Sequence, residues 1–150
     1  METNIFNAAA NQSLLERFEK LTAESPALWG KMNAAQMVLH CQKPLDVAQG
    51  KLIIKGGLLG FLFGKMAKNS FIKNKGFGKN SPTAPEFKIT GTPDFEQEKR
   101  TLTDTIAKFG ELGPSVIANR KHPFFGEMTD AEWGTLHYVH LDHHLKQFGA

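Results

Sequence analysis

Apolar residues recur at helical spacing in four stretches of the chain. In the first, Leu14, Leu15, Phe18 and Leu21 share a face, and Ser13 precedes Glu16 by three residues as in a capping box, with Asn11 as an alternative cap. The loop Glu24-Ser25-Pro26 ends it, so a helix is predicted near 13–23. The second stretch has Asn33 and Gln36 as cap and third-position partner and stops at Gly50, predicting a helix over 34–49. Pro44 lies inside it; a proline has no N–H, so the carbonyl of His40 should be freed and the helix bent there. The third starts with Thr92 as cap and Pro93 at the first helical position, and turns Phe95, Leu102, Ile106 and Phe109 inward. Gly110 to Pro114 should stop it, giving 93–110. The fourth opens with Thr129 and Glu132, another capping box, and runs over 129–148.

Residues 51–91 lack this regularity. Apolar Leu52-Ile53-Ile54 and Leu58 to Phe63 are interrupted by glycines, with one short helix expected near 58–68 and a loop over 73–85. Only Phe87-Lys88-Ile89-Thr90 alternates as a strand would. The expected fold class is therefore all-α: one domain, residues 1–150, in which four helices form a bundle with a long, partly irregular crossover between the second and third. Such crossovers occur in bundles whose neighbouring helices run parallel.

The length changes nothing in this picture, since 150 residues suit one domain with its own core. The single cysteine, Cys41, excludes an internal disulfide and favours a reducing compartment. Neither a basic-then-apolar leader nor a run of about 18 apolar residues is visible, so the expectation is a soluble cytoplasmic protein. The net charge of +3 is uneven. Eight lysines and one acid, Glu86, fall between Lys51 and Lys88, which puts +7 there and −4 elsewhere. This basic crossover reads first as a solvated loop. Its other readings are a lid that attracts an anionic cofactor or substrate, or a contact with a membrane surface. Nucleic acid is disfavoured: Gly60 to Lys65 has the wrong spacing for a phosphate loop, and Lys75-Gly76-Phe77-Gly78 lacks the rest of an RNA-recognition motif.

Five of the six histidines lie at or after residue 122, four of them on the fourth helix. At about 100° per residue, with His140 at zero, His144 falls near ~40° and His137 near ~60°, on the side that carries the apolar stripe. His143 falls near ~−60°, at its margin, while Asp142 and Lys146 make an exposed pair on the far side. Imidazoles against an apolar core are costly unless each nitrogen has a partner, and one metal ion can partner several. His140 and His144, four apart, can share an ion. On the second helix His40 shares a face with Gln36 and Val47 and sits among Met37, Val38, Leu39 and Cys41. One histidine from one helix and a pair from another can converge in a bundle, leaving coordination positions open. The alternatives are a satisfied core His40 and histidines that merely cap one end of the bundle. Cys41 reads as a small core residue rather than a nucleophile or ligand, His137 as pocket wall ahead of a fourth ligand or a group supporting the ligands, and His122 and His143 as solvated.

The pattern Trp29-x-x-Met32-Asn33-x-x-Gln36-x-x-x-His40, followed by His140-x-x-x-His144-x-x-Gln147, resembles the DinB/YfiT-like metal-binding four-helix bundles. The resemblance covers nearly the whole chain in order and spacing, and is nearest to a subfamily of unknown function. It implies a divalent ion at one end of the bundle, with His40, His140 and His144 as ligands and Gln147 one turn beyond the last. Zinc, nickel and iron are not distinguished. Relatives include transferases and isomerases that use low-molecular-weight thiols, so the resemblance implies metal-dependent chemistry on a small molecule, thiol transfer or hydrolysis. The contrasting function is a non-catalytic bundle with a structural or adventitious ion that docks a partner through its basic crossover. Whether the chain forms a homodimer is left open.

Overall fold

Asn7 opens the first helix, α1 (Ala8–Glu19), by accepting a hydrogen bond at Oδ1 from the Ala10 N–H at 3.1 Å. The helix thus begins five residues before Ser13, and the expected box of Ser13 with Glu16 is not the cap. The missed turn, Ala8-Ala9-Ala10, has no large apolar residue to reveal a stripe, but alanine has the highest helix propensity of any residue. The computed structural model describes residues 3–55, 64, 67–69, 71–73 and 76–150. In these the protein is mostly helical.

The second helix, α2 (Ala34–Ala48), has the capping box read from Asn33 and Gln36, contains Pro44, and ends before Gly50, which takes φ +71°. The third, α3 (Phe95–Leu112), differs at both ends from its expected span. Asp94, not Thr92, is the cap, with Oδ1 2.8 Å from the Gln97 N–H, so Pro93 lies outside the helix. Gly110 continues the helix, and the stop comes at Gly113, with φ +59°, where Pro114 begins a single 3-10 turn (Gly113–Val116). The last helix, α4 (Asp130–Gln147), has the Thr129–Glu132 box as read.

α3 packs across both α1 and α2, and α4 touches α1 and α2. Ile5, Leu14, Phe18, Met37, Leu45, Leu102, Ile106, Phe109, Trp133, Leu141 and Leu145 fill the space between them. The stripe expected on α3 is buried as expected. Cys41 is fully buried with its sulfur 3.6 Å from that of Met37, and burial pushes its thiol pKa up. Asp142 and Lys146 do pair, at 2.7 Å, but Asp142 also binds Arg17 at 2.7 Å and is half-buried, so this expected surface pair ties α4 to α1.

Between α2 and α3, residues 64, 67–69 and 71–73 are helical. The rest of the short helix expected near 58–68 lies outside the described residues. Phe87 closes a 3-10 turn (Pro85–Phe87) packed on α2, so the strand-like alternation of 87–90 does not form a strand. Around Pro123, β1 (Lys121–His122) and β2 (Gly126–Glu127) pair antiparallel. No helix among the described residues is long and apolar enough to cross a membrane.

Candidate metal centre

His40 projects from the middle of α2, and His140 and His144 from one face of α4. The two helices bring the three rings to one place. Ring centroids lie 5.1 Å apart for His40 and His140, and 4.7 Å for His144 with each of the others. One nitrogen from each lies within 4.8 Å of the other two, close enough to bind a single metal ion.

The outer nitrogens of two rings are tied down, and the ties set the tautomers. His40 Nδ1 lies 2.8 Å from the Phe87 carbonyl, which can only accept, so Nδ1 carries the proton and Nε2 is bare. Gln147 Nε2 donates to the Trp29 carbonyl at 2.7 Å. That orients the amide so that its Oε1, 2.7 Å from His144 Nδ1, must accept there. His144 Nε2 is therefore bare as well. Ligating histidines are oriented by this kind of partner on the far nitrogen. Gly30 makes room for the link. It has φ +82°, and a Cβ on it would stand 2.5 Å from Gln147 Nε2.

His140 Nε2 approaches His40 Nε2 at 3.2 Å. Two bare nitrogens would repel at that distance, so in the metal-free protein His140 Nε2–H donates to His40. Burial holds the pKa of His40 below its usual value. It holds His140 well below and lowers His144 to about 3, the neighbouring imidazoles adding repulsion in each case. All three rings are thus neutral near pH 7, the form in which imidazole ligates. Three bare or readily bared nitrogen donors with no thiolate or carboxylate among them suit zinc, nickel, copper or iron.

The other histidines depart from their expected places. His122 is buried, not solvated; its Nδ1 accepts from the Phe124 and Phe125 N–H groups, and its ring stacks on Phe125 at 4.5 Å. His143 is half-buried, edge-on to Trp29 at 5.8 Å and Phe77 at 6.2 Å. His137 is pocket wall as read, but it is fully buried, and neither ring nitrogen has a hydrogen-bond partner among the described residues. Signals for His122 and Phe77 were absent because both belong to irregular segments whose path follows no period. His143 was at the margin of the helical wheel, and only the loop laid over it decides its burial.

The three histidines open onto a cavity of about 970 Å³. Basic residues of the crossover are divided. Lys79 lies over the Trp29 ring at 4.5 Å, and Lys68 binds the Glu127 carbonyl and Glu132, whereas Lys51, Lys55, Lys73 and Lys88 are exposed. No curated protein and no solved structure matches the chain. Residues 6–150 match the family described as a protein of unknown function, DUF1569, and the chain belongs to that family.

Proposed function

We propose that the protein is a metal-dependent enzyme built on a DinB-type four-helix bundle, with one divalent ion held by His40, His140 and His144. The observation that carries this reading is the convergence of three ring nitrogens, two of them bared by hydrogen bonds on the far side of their rings. His40 Nε2 and His140 Nε2 meet only each other, at 3.2 Å, and a single ion would give all three converging nitrogens one shared partner. When bound, the ion supplies a Lewis acid that can lower the pKa of a ligating thiol or water. His40 and His144 hold their donor atoms toward the ion by way of Phe87 and Gln147. His140 would ligate through Nε2 as its other neutral tautomer, with the ring proton on Nδ1. Three protein ligands leave coordination positions open on the cavity side, the arrangement of a reactive site. The substrate is a small molecule, with thiol transfer or hydrolysis as the reaction class.

The test is metal content of protein purified without a histidine tag, followed by assay of thiol adducts and ester or amide hydrolysis with and without chelator. One ion per chain, lost in His144→Ala, together with chelator-sensitive turnover, is the expected result. One tightly held ion with no turnover in any assay would assign the ion a structural role. The exposed lysines of the crossover would then favour a docking protein.

A further inference from the structure

Six phenylalanine and tryptophan rings line the cavity that opens on the three histidines: Trp29, Phe71, Phe77, Phe87, Phe124 and Phe125. These rings begin beside the donor atoms rather than at a distance. Phe77 meets His140 edge-on at 6.0 Å, and Phe87 meets His40 at 6.4 Å. They continue as a connected wall, with Phe71 5.2 Å from Phe125 and 6.1 Å from Phe77, and Phe87 6.1 Å from Phe124. Among the described residues no aspartate or glutamate lines the cavity. Of the polar side chains beyond the three histidines, Lys31, Asn80, Ser81 and Thr83 are exposed, whereas His122, His137 and Gln147 are buried and His143 is half-buried.

Two consequences follow. A divalent ion on three neutral imidazoles keeps its full double charge, and no lining carboxylate offsets it, so the donor atom that completes the site should be anionic. Beyond that atom the ring-lined walls offer apolar surface, and the charged side chain among the described lining residues, Lys31, is exposed at the border. A ligand with several charges along its body would leave them desolvated against phenylalanine rings, whereas an aromatic body gains ring contacts and apolar burial. At about 970 Å³ the cavity has room for a small organic molecule carrying a ring.

We propose that this site takes a small aromatic molecule bearing one anionic donor group, such as an aryl carboxylate, thiolate or hydroxamate. The donor sits on the ion and the ring sits among Phe77, Phe87 and Phe125. This rests on the metal-centre reading and narrows it: a thiol co-substrate would be compact and apolar rather than a multiply charged peptide-like one.

The experiment uses the full chain loaded with Co²⁺, whose visible spectrum reports both occupancy of the site and a change of donor. Benzohydroxamate and acetohydroxamate present the same donor with and without a ring. Benzohydroxamate is expected to bind at least tenfold tighter, beyond the ratio the pair shows for aqueous Co²⁺, and Phe77→Ala should shrink that preference while acetohydroxamate binding is unchanged. Phe87→Ala is a second variant, should Phe77→Ala fail to fold. If Co²⁺ binds one per chain in a His144-dependent manner but both hydroxamates bind alike, the aromatic-ligand inference is overturned and the metal centre stands. If Co²⁺ does not bind in that manner, both are overturned.

Discussion

Gln147 acts on the site through His144 alone. Its amide is clamped between the Trp29 carbonyl and His144 Nδ1, so Gln147→Leu removes the group that fixes the ring's tautomer and orientation while keeping comparable bulk. Metal affinity should fall about 10–100-fold, the usual cost of losing such a partner. Competition with a chromophoric chelator measures it, and an unchanged affinity would show that His144 is held by packing alone. His137 poses the opposite case. Its ring stacks on Trp133 at 5.6 Å and meets Phe109 edge-on at 5.5 Å, with both nitrogens buried and without a hydrogen-bond partner among the described residues. Burial, aided by repulsion from His122, lowers its pKa to about 3. The unfolded chain takes up this proton near pH ~6.5 and the folded chain only near its lowered value. Stability from neutral His137 is therefore intact above the unfolded value and drains away as pH falls toward about 3. His137→Phe keeps the ring contacts and removes that proton. Urea unfolding in chelator at pH 7 and pH 5 should show the variant losing less stability over this interval than wild type, by roughly 1–2 kcal/mol. Equal losses would mean that His137 titrates normally or finds a partner in solution.

Helix contacts depend on small, specific accommodations as much as on stripes. Asn11, buried on α1, donates from Nδ2 to the Ile5 carbonyl at 2.9 Å and to the Ile106 carbonyl of α3 at 2.8 Å. It locks the N-terminal segment and α3 onto one side chain. Gly110 faces it, and a Cβ there would stand 2.7 Å from Asn11 Cγ. Gly110→Ala should therefore destabilise wild type although alanine is favoured over glycine in a helix by about 1 kcal/mol. Asn11→Ala alone should cost on the order of 1–3 kcal/mol through the lost buried hydrogen bonds. In the Asn11→Ala background the obstruction is gone, and Gly110→Ala should turn neutral or stabilising. A double-mutant cycle in urea reads the sign change. If Gly110→Ala stabilises both backgrounds, the two helices are not as closely apposed as described here.

For the molecule as a whole, the core does not depend on the metal centre. Large apolar residues from α1, α2, α3 and α4 form one buried cluster, so the chain should fold with the ion removed. An ion that binds the folded site and not the dispersed histidines still adds stability, about 2.7 kcal/mol at a free concentration 100 times its dissociation constant. Thermal melts of zinc-loaded wild type should shift down with chelator. His144→Ala should melt cooperatively at one temperature with or without it. A wild-type midpoint indifferent to chelator, in protein shown to contain zinc, would mean that the ion is not held by a preformed site.

The helices were legible wherever a periodic stripe met a cap with its own side-chain chemistry. Asn33 with Gln36 and Thr129 with Glu132 placed two helix starts, because a capping box is a local contact that no distant residue alters. The face of α4 carrying His140 and His144 followed from the helical period alone, and their meeting with His40 was an inference from chemistry that the fold then made geometric. Where competing local signals lay close together, as with Asp94 against Thr92 and Asn7 against Ser13, residue type could not rank them. The tertiary structure decided what no period encodes. It set the Phe87 carbonyl on His40, linked Trp29 through Gln147 to His144, buried His122 under Phe125, and laid Phe77 over His140 and His143. Apart from His122 on Phe125, which is local to the hairpin, these contacts join a helix to an irregular segment. The position of such a segment is set by what it packs against, and that partner lies far away in the chain.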